Sequence, residues 1–169
     1  MNQLSEHLSL AEVIRSESAK RLGVSNMPTE EHIANFKILA ENVFEPIRKN
    51  FRCPIYISSG YRSKELNAHI KDASKTSDHC KGMALDLDQD GSSQDVTNSD
   101  VFHYIKDNLQ FKQLICEYPI EGNPSWVHVS YDKNNLKNQI LICVRENGRP
   151  NYIPYYGNEE LALNKTISL

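Results

Sequence analysis

Two histidines and an aspartate, His79, Asp86 and His128, carry donor atoms that suit a divalent metal. Two imidazoles and one carboxylate match catalytic zinc, because three protein donors leave a fourth position open. Softer ions would draw on cysteine, and hard cations would need more oxygen donors. The spacing is a weak signal by itself, since a surface imidazole and a solvated carboxylate look the same in sequence. Cys80 adjoins His79, but successive strand residues face opposite ways, which sets its thiol apart from the candidate group. A rival motif overlaps these residues, because Asp86-x-Asp88-x-Asp90-Gly91 opens like an EF-hand calcium loop. The position that needs a bidentate glutamate is Thr97, so the stretch reads as a solvated acidic turn. His7, His32, His69 and His103 fall on expected helices or the N-terminal segment, where surface or capping roles are expected.

The elements that would position these side chains follow from local pattern. Ser9-Leu10-Ala11-Glu12 is a capping box, and the helix it starts is expected to stop by Gly23. A second helix is expected after Pro28-Thr29, with Glu30 and Glu31 at its positive end. Ile33, Phe36, Ala40, Val43 and Ile47 form its apolar stripe, and Pro46 should kink or end it. A β-rich run over 53–57 stops at Ser58-Ser59-Gly60, and a short helix capped by Ser63 is expected over 64–71. From Met83 the period is two: Met83, Leu85 and Leu87 alternate with Ala84, Asp86 and Asp88, which puts both carboxylates on the face away from the core. A helix over 101–109 and strands over 112–118, 125–131 and 139–144 complete the pattern. The fold class is therefore α+β, with N-terminal helices packed on a mainly antiparallel sheet.

Composition narrows the partners. The 169 residues are 39% hydrophobic and 24% charged, ordinary values for a water-soluble domain. A net charge of -3 gives no electrostatic basis for binding nucleic acid. No run approaches the roughly 20 apolar residues of a membrane span, so no membrane insertion is expected. The N-terminus has no secretory pattern. Cys53, Cys80, Cys116 and Cys143 are widely spaced and read as reduced thiols in packed positions. One domain is expected over 1–169, with a core of about 8–145 and a C-terminal tail at 146–169.

Three motifs raise the candidate group above its spacing. Ser77-Asp78-His79-Cys80-Lys81-Gly82-Met83-Ala84-Leu85-Asp86 matches S-x-H-x-x-G-x-A-x-D. It resembles the first zinc motif of the M15 peptidases, the D-alanyl-D-alanine carboxypeptidases and related murein endopeptidases. Ser59-Gly60-Tyr61-Arg62-Ser63 with Leu66-Asn67 resembles that family's SGYRS-x-x-LN segment, and Trp126-Val127-His128-Val129-Ser130 resembles its W-[IV]-H-V-S strand. Arg15-Ser16 and Glu45-Pro46-Ile47-Arg48 resemble the small phage- or prophage-like branch. Two departures stand out. Lys71-Asp72-Ala73 replaces a common Gly-Gly-Ala turn, and Ser125 stands where other branches place an acid three residues before the last histidine.

The resemblance implies an M15 or hedgehog-like fold and one Zn2+ per chain, held by His79, Asp86 and His128. It implies a zinc-dependent peptidase that cleaves a bond involving a D-amino acid in bacterial peptidoglycan stem peptides. The general base is expected to be Glu117, a cross-strand neighbour of the segment bearing His128, with the loop residue Glu121 as alternative. Arg62 would stabilise an oxyanion or hold a substrate carboxylate. Ser77, Asp88 and Trp126 are expected to bind substrate or support the ligands, Asp88 by orienting a histidine. Two other readings remain: a metal-containing module that binds peptidoglycan or a virion without catalysis, and a cytoplasmic D-Ala-D-Ala dipeptidase. The expected setting is synthesis in the cytoplasm without a signal peptide and action at the cell wall after phage-type release.

Overall fold

The computed structural model describes residues 3–93 and 95–157. Six strands form one sheet in the order β1-β2-β4-β3-β5-β6. They span Ile57–Ser59, Ala84–Leu87, Gln113–Glu117, Trp126–Ser130, Gln139–Glu146 and Arg149–Pro154, numbered in chain order. All neighbours are antiparallel except β3 and β5, which run parallel. This α+β architecture with a mainly antiparallel sheet is the one expected from sequence.

One face of the sheet is the core. Leu85, Leu87, Leu114, Val127, Val129 and Ile142 pack there against Phe36, Leu39, Val43, Phe102 and Ile105 from the helices. Fully burying each such side chain contributes about 1.5–3 kcal/mol. Because strand residues alternate, Asp86, Ile115, Glu117, Trp126, His128 and Cys143 must share the opposite face.

The helices depart from expectation in instructive ways. The Ser9 capping box forms, with Ser9 Oγ accepting from Glu12 N–H at 3.3 Å. The helix does not run to Gly23, however. Helix α1 (Leu10–Ile14) ends at an extended Arg15, and Ser16 caps a separate α2 (Glu17–Leu22). Helix α3 (Glu30–Leu39) starts at the Thr29 cap, and Pro46 does not end the helical run. A π turn (Ala40–Phe44), in which Glu45 N–H bonds Ala40 O, carries the chain past the missing proline donor into α4 (Glu45–Phe51).

Other boundaries shift because a side chain or cap replaces a ladder. The expected strand over 53–57 is paired only from Ile57. Before it, buried Gln89 accepts from Tyr56 N–H at 2.8 Å and donates to Pro54 O at 3.1 Å. Ser63 caps a shorter α5 (Lys64–Ala68). Helix α6 (Asn98–Asn108) begins three residues earlier than expected, because Thr97 and Asp100 form a capping box. The 146–169 segment is not all tail, since β6 pairs with β5 through 149–154; residues 158–169 lie outside the described residues. The four cysteines are free and buried, as expected. No helix among the described residues is long and apolar enough to cross a membrane.

Candidate metal centre

His79 sits in a 3-10 turn (Asp78–Lys81), not in a strand, and is completely buried. Two glycines make the turn possible. Gly82 ends it at φ +70°, and a Cβ there would lie 2.2 Å from His32 O. A Cβ on Gly60 would lie 2.4 Å from Val13 O. Gly60 O then accepts a hydrogen bond from His79 Nδ1 at 2.6 Å. A carbonyl can only accept, so the proton is on Nδ1 and the Nε2 lone pair is free.

That lone pair meets two other donors. Asp86 on β2 stands opposite His128 on β4. Asp86 Oδ1 lies 3.2 Å from His79 Nε2 and 2.8 Å from His128 Nδ1, and the two nitrogens are 3.2 Å apart. Three donors around a tetrahedral zinc with bonds of about 2.0–2.1 Å would be separated by about 3.3 Å, so the group is nearly the size the ion needs. Its electrostatics also fit. Burial pushes the His79 imidazole down despite the attraction of Asp86, which keeps it neutral and able to bind metal. Burial pushes Asp86 up, but His79 and His128 outweigh this and hold the carboxylate well below its usual range.

Glu117 on β3 shares this face and pairs in register with Trp126, while Ile115 stands opposite His128. Glu117 is 6% exposed, and burial raises its carboxyl to about 7, against the opposing pull of His128. Cys143 is the partner of Glu117 on β5 and pairs in turn with Tyr152 on β6; burial and the nearby Glu117 charge push its thiol up to about 12. Arg62 donates its backbone N–H to His79 O at 3.2 Å, and its charge acts on both His79 and Glu117. The Arg62 Nε is buried and has no partner.

Residues 6–130 match a family model described as peptidase M15. The chain belongs to the peptidase M15 family. It is thus a metallopeptidase of a zinc-dependent family, and its candidate metal group lies within the matched segment. No curated protein matches the chain. The match stops at Ser130, so the β5–β6 hairpin that brings Cys143 and Tyr152 beside Glu117 lies beyond it.

The remaining site expectations for this M15 peptidase divide. Trp126 is part-buried beside Tyr118, with ring centroids 5.3 Å apart. Ser77 precedes the His79 turn without a side-chain capping bond. Glu121 is exposed in the β3–β4 connection at φ +51°. Asp88 does not orient a histidine; it accepts from Asn98 Nδ2 at 3.1 Å and Asp90 N–H at 3.0 Å, and Gly60 O supports His79 instead. Asp88 and Asp90 also stay apart from the metal group, contrary to the calcium motif. Cys80 is outside the group because of the 3-10 turn, not strand alternation.

His7, expected in a surface or capping role, pairs with a distant element: its Nδ1 lies 2.8 Å from Glu45 Oε2, near Glu6. His32 caps α3 with Thr29. Sequence reasoning missed the Gly60 carbonyl, Cys143 and Tyr152. The two-residue period through 139–144 was the one available signal for Cys143, and nothing local pointed to the others.

Proposed function

We propose that the protein is a zinc peptidase that hydrolyses a bond involving a D-amino acid in peptidoglycan stem peptides. The convergence of His79 Nε2, Asp86 Oδ1 and His128 Nδ1 within 3.2 Å carries the metal-dependent part of this reading. The M15 membership and the SGYRS and WVHVS segments support the substrate class. His79, Asp86 and His128 would hold the zinc, which when bound supplies Lewis acidity toward a scissile carbonyl.

The chain's own residues divide the remaining work. Glu117, buried on the sheet face that carries His128, is suited to take a proton from the attacking water. The same carboxyl then returns that proton to the departing amine. The Arg62 guanidinium is the anion-binding group of the site, suited to a developing oxyanion or to a substrate carboxylate. Trp126 lies opposite Glu117 in the strand pairing and packs on Tyr118, which offers the substrate an aromatic wall. Glu121, exposed on its loop, is the weaker alternative base.

Digestion of purified peptidoglycan, followed by mass spectrometry, tests the proposal. Released D-Ala identifies a carboxypeptidase, and new internal amino termini identify an endopeptidase. Binding to the wall polymer without either product would leave a non-catalytic module.

A further inference from the structure

We propose that a cleft beside the metal centre holds a carboxylate of the substrate between Arg15 and Arg62, with Arg15 setting the preference for an anionic peptide. This deepens the peptidase reading, on which it rests for the peptide nature of the ligand.

The cleft has a volume of about 600 Å³, within the range of pockets that hold small ligands. It is lined by Arg15 at the α1–α2 break, by Ser18, by Ser59, and by Tyr61 and Arg62 ahead of α5. Ser59 is paired with Asp86 across β1 and β2, so the cleft begins at the edge of the metal group. Arg62 belongs to both places: it lines the cleft, and its charge acts on His79 and Glu117.

The two arginines have no counter-ion among the described residues. Arg15 makes one long hydrogen bond, from its guanidinium to Ile57 O at 3.4 Å. Glu17 also lines the cleft, but Lys20 engages its carboxylate at 2.7 Å, and Arg15 affects it least of the groups around it. The buried Nε of Arg62 has no acceptor among the described residues, and a buried donor left without one favours a ligand that supplies it. Two guanidiniums, one with a buried donor left over, are the groups that recognise a carboxylate by paired, charge-assisted hydrogen bonds.

The break after Ile14 matters here. A single helix from Ser9 to Gly23 would hold Arg15 in helical backbone, whereas its extended conformation places it on the cleft wall. The anion can be a terminal α-carboxylate or the carboxylate of an isoglutamyl residue; the two present the same chemistry and are separated below.

Titration calorimetry on the zinc-loaded Glu117→Gln protein reads binding without turnover. The ligands are a free-acid stem peptide and two forms in which the terminal or the isoglutamyl carboxylate is amidated. One amidation is expected to weaken binding about tenfold, which corresponds to about 1.4 kcal/mol, and so identifies the anion. Adding Arg15→Ala should collapse that acid-to-amide ratio toward one, and Arg15→Lys should restore part of it. An unchanged ratio in Arg15→Ala, or a ratio near one in the Glu117→Gln parent, overturns the clamp.

Hydrolysis of the same peptides by the wild-type chain keeps the two proposals separate. Peptides bound with an Arg15-dependent ratio but never cleaved defeat the peptidase reading and leave the clamp standing. Peptides cleaved with no acid preference do the reverse.

Discussion

Asp86 and His128 face each other across neighbouring antiparallel strands, with Oδ1 2.8 Å from Nδ1, although 42 positions separate them in the chain. The pairing register of β2 and β4 creates this contact. His79 enters from a turn outside the sheet and completes the group at 3.2 Å from both.

Loss of one ligand should empty the group. The purified protein is expected to carry about one zinc per chain, and His79→Ala and His128→Ala should each lose it, as measured by elemental analysis. Full occupancy in both variants would sink the ligand assignment.

Glu117 and Glu121 separate cleanly by substitution. Glu117→Gln should retain zinc and reduce turnover by about 10²–10⁴, while Glu121→Gln should stay close to the wild type. The reverse pattern in kcat would move the base to the loop.

Burial of Glu117 also makes a pH prediction for the metal-free protein. Its carboxyl is raised from 4.5 to about 7. Across that window the native state keeps a proton that the unfolded chain has released, so this residue's contribution to stability falls as pH rises. Above pH 7 the loss is about 3 kcal/mol, and Glu117→Gln removes it. Buried His79 acts in the opposite sense below its ordinary 6.5, and the stabilising contribution of Asp86 disappears only in acid, but both are shared by variant and wild type. In chelator, the variant should melt with the wild type near pH 4.5 and above it at pH 8. A lower melting point at pH 8 contradicts the buried-acid assignment.

Gly82 is held at φ +70° with His32 O in the space of a Cβ. Gly82→Ala should therefore destabilise the fold by about 3 kcal/mol, combining left-handed strain with overpacking. A Tm decrease of roughly 10 °C is expected by calorimetry. A change under about 2 °C would mean that the turn adapts.

Asp88 is bonded to Asn98 and to the Asp90 amide. Asp88→Asn should leave zinc affinity within about twofold, whereas loss of a group that orients a ligand costs about 10–100-fold. Competition with a metal chelator measures the difference.

The donor group was legible because its pieces are local. The motif from Ser77 to Asp86 holds two of the three donors, and the two-residue period from Met83 placed Asp86 on the face away from Leu85 and Leu87. The same period through 125–131 put His128 opposite Val127 and Val129. The support of His79 was not legible, because a backbone carbonyl such as that of Gly60 leaves no mark on residue type. Asp88 looked like the orienting carboxylate from spacing alone, but Asn98 had already engaged it.

By itself, the sequence determined which residues can bind a metal, which strand faces they occupy and that helices precede a mainly antiparallel sheet. Those properties follow from side-chain chemistry and short-range periodicity. Only the tertiary structure decided that Arg15 joins Arg62 at one cleft, that His7 meets Glu45, and that the β5–β6 hairpin encloses Glu117. The physical reason is that these contacts depend on how distant elements pack. A helix break at Arg15, a strand register or the burial of a carboxyl is set by neighbours that the local sequence does not contain.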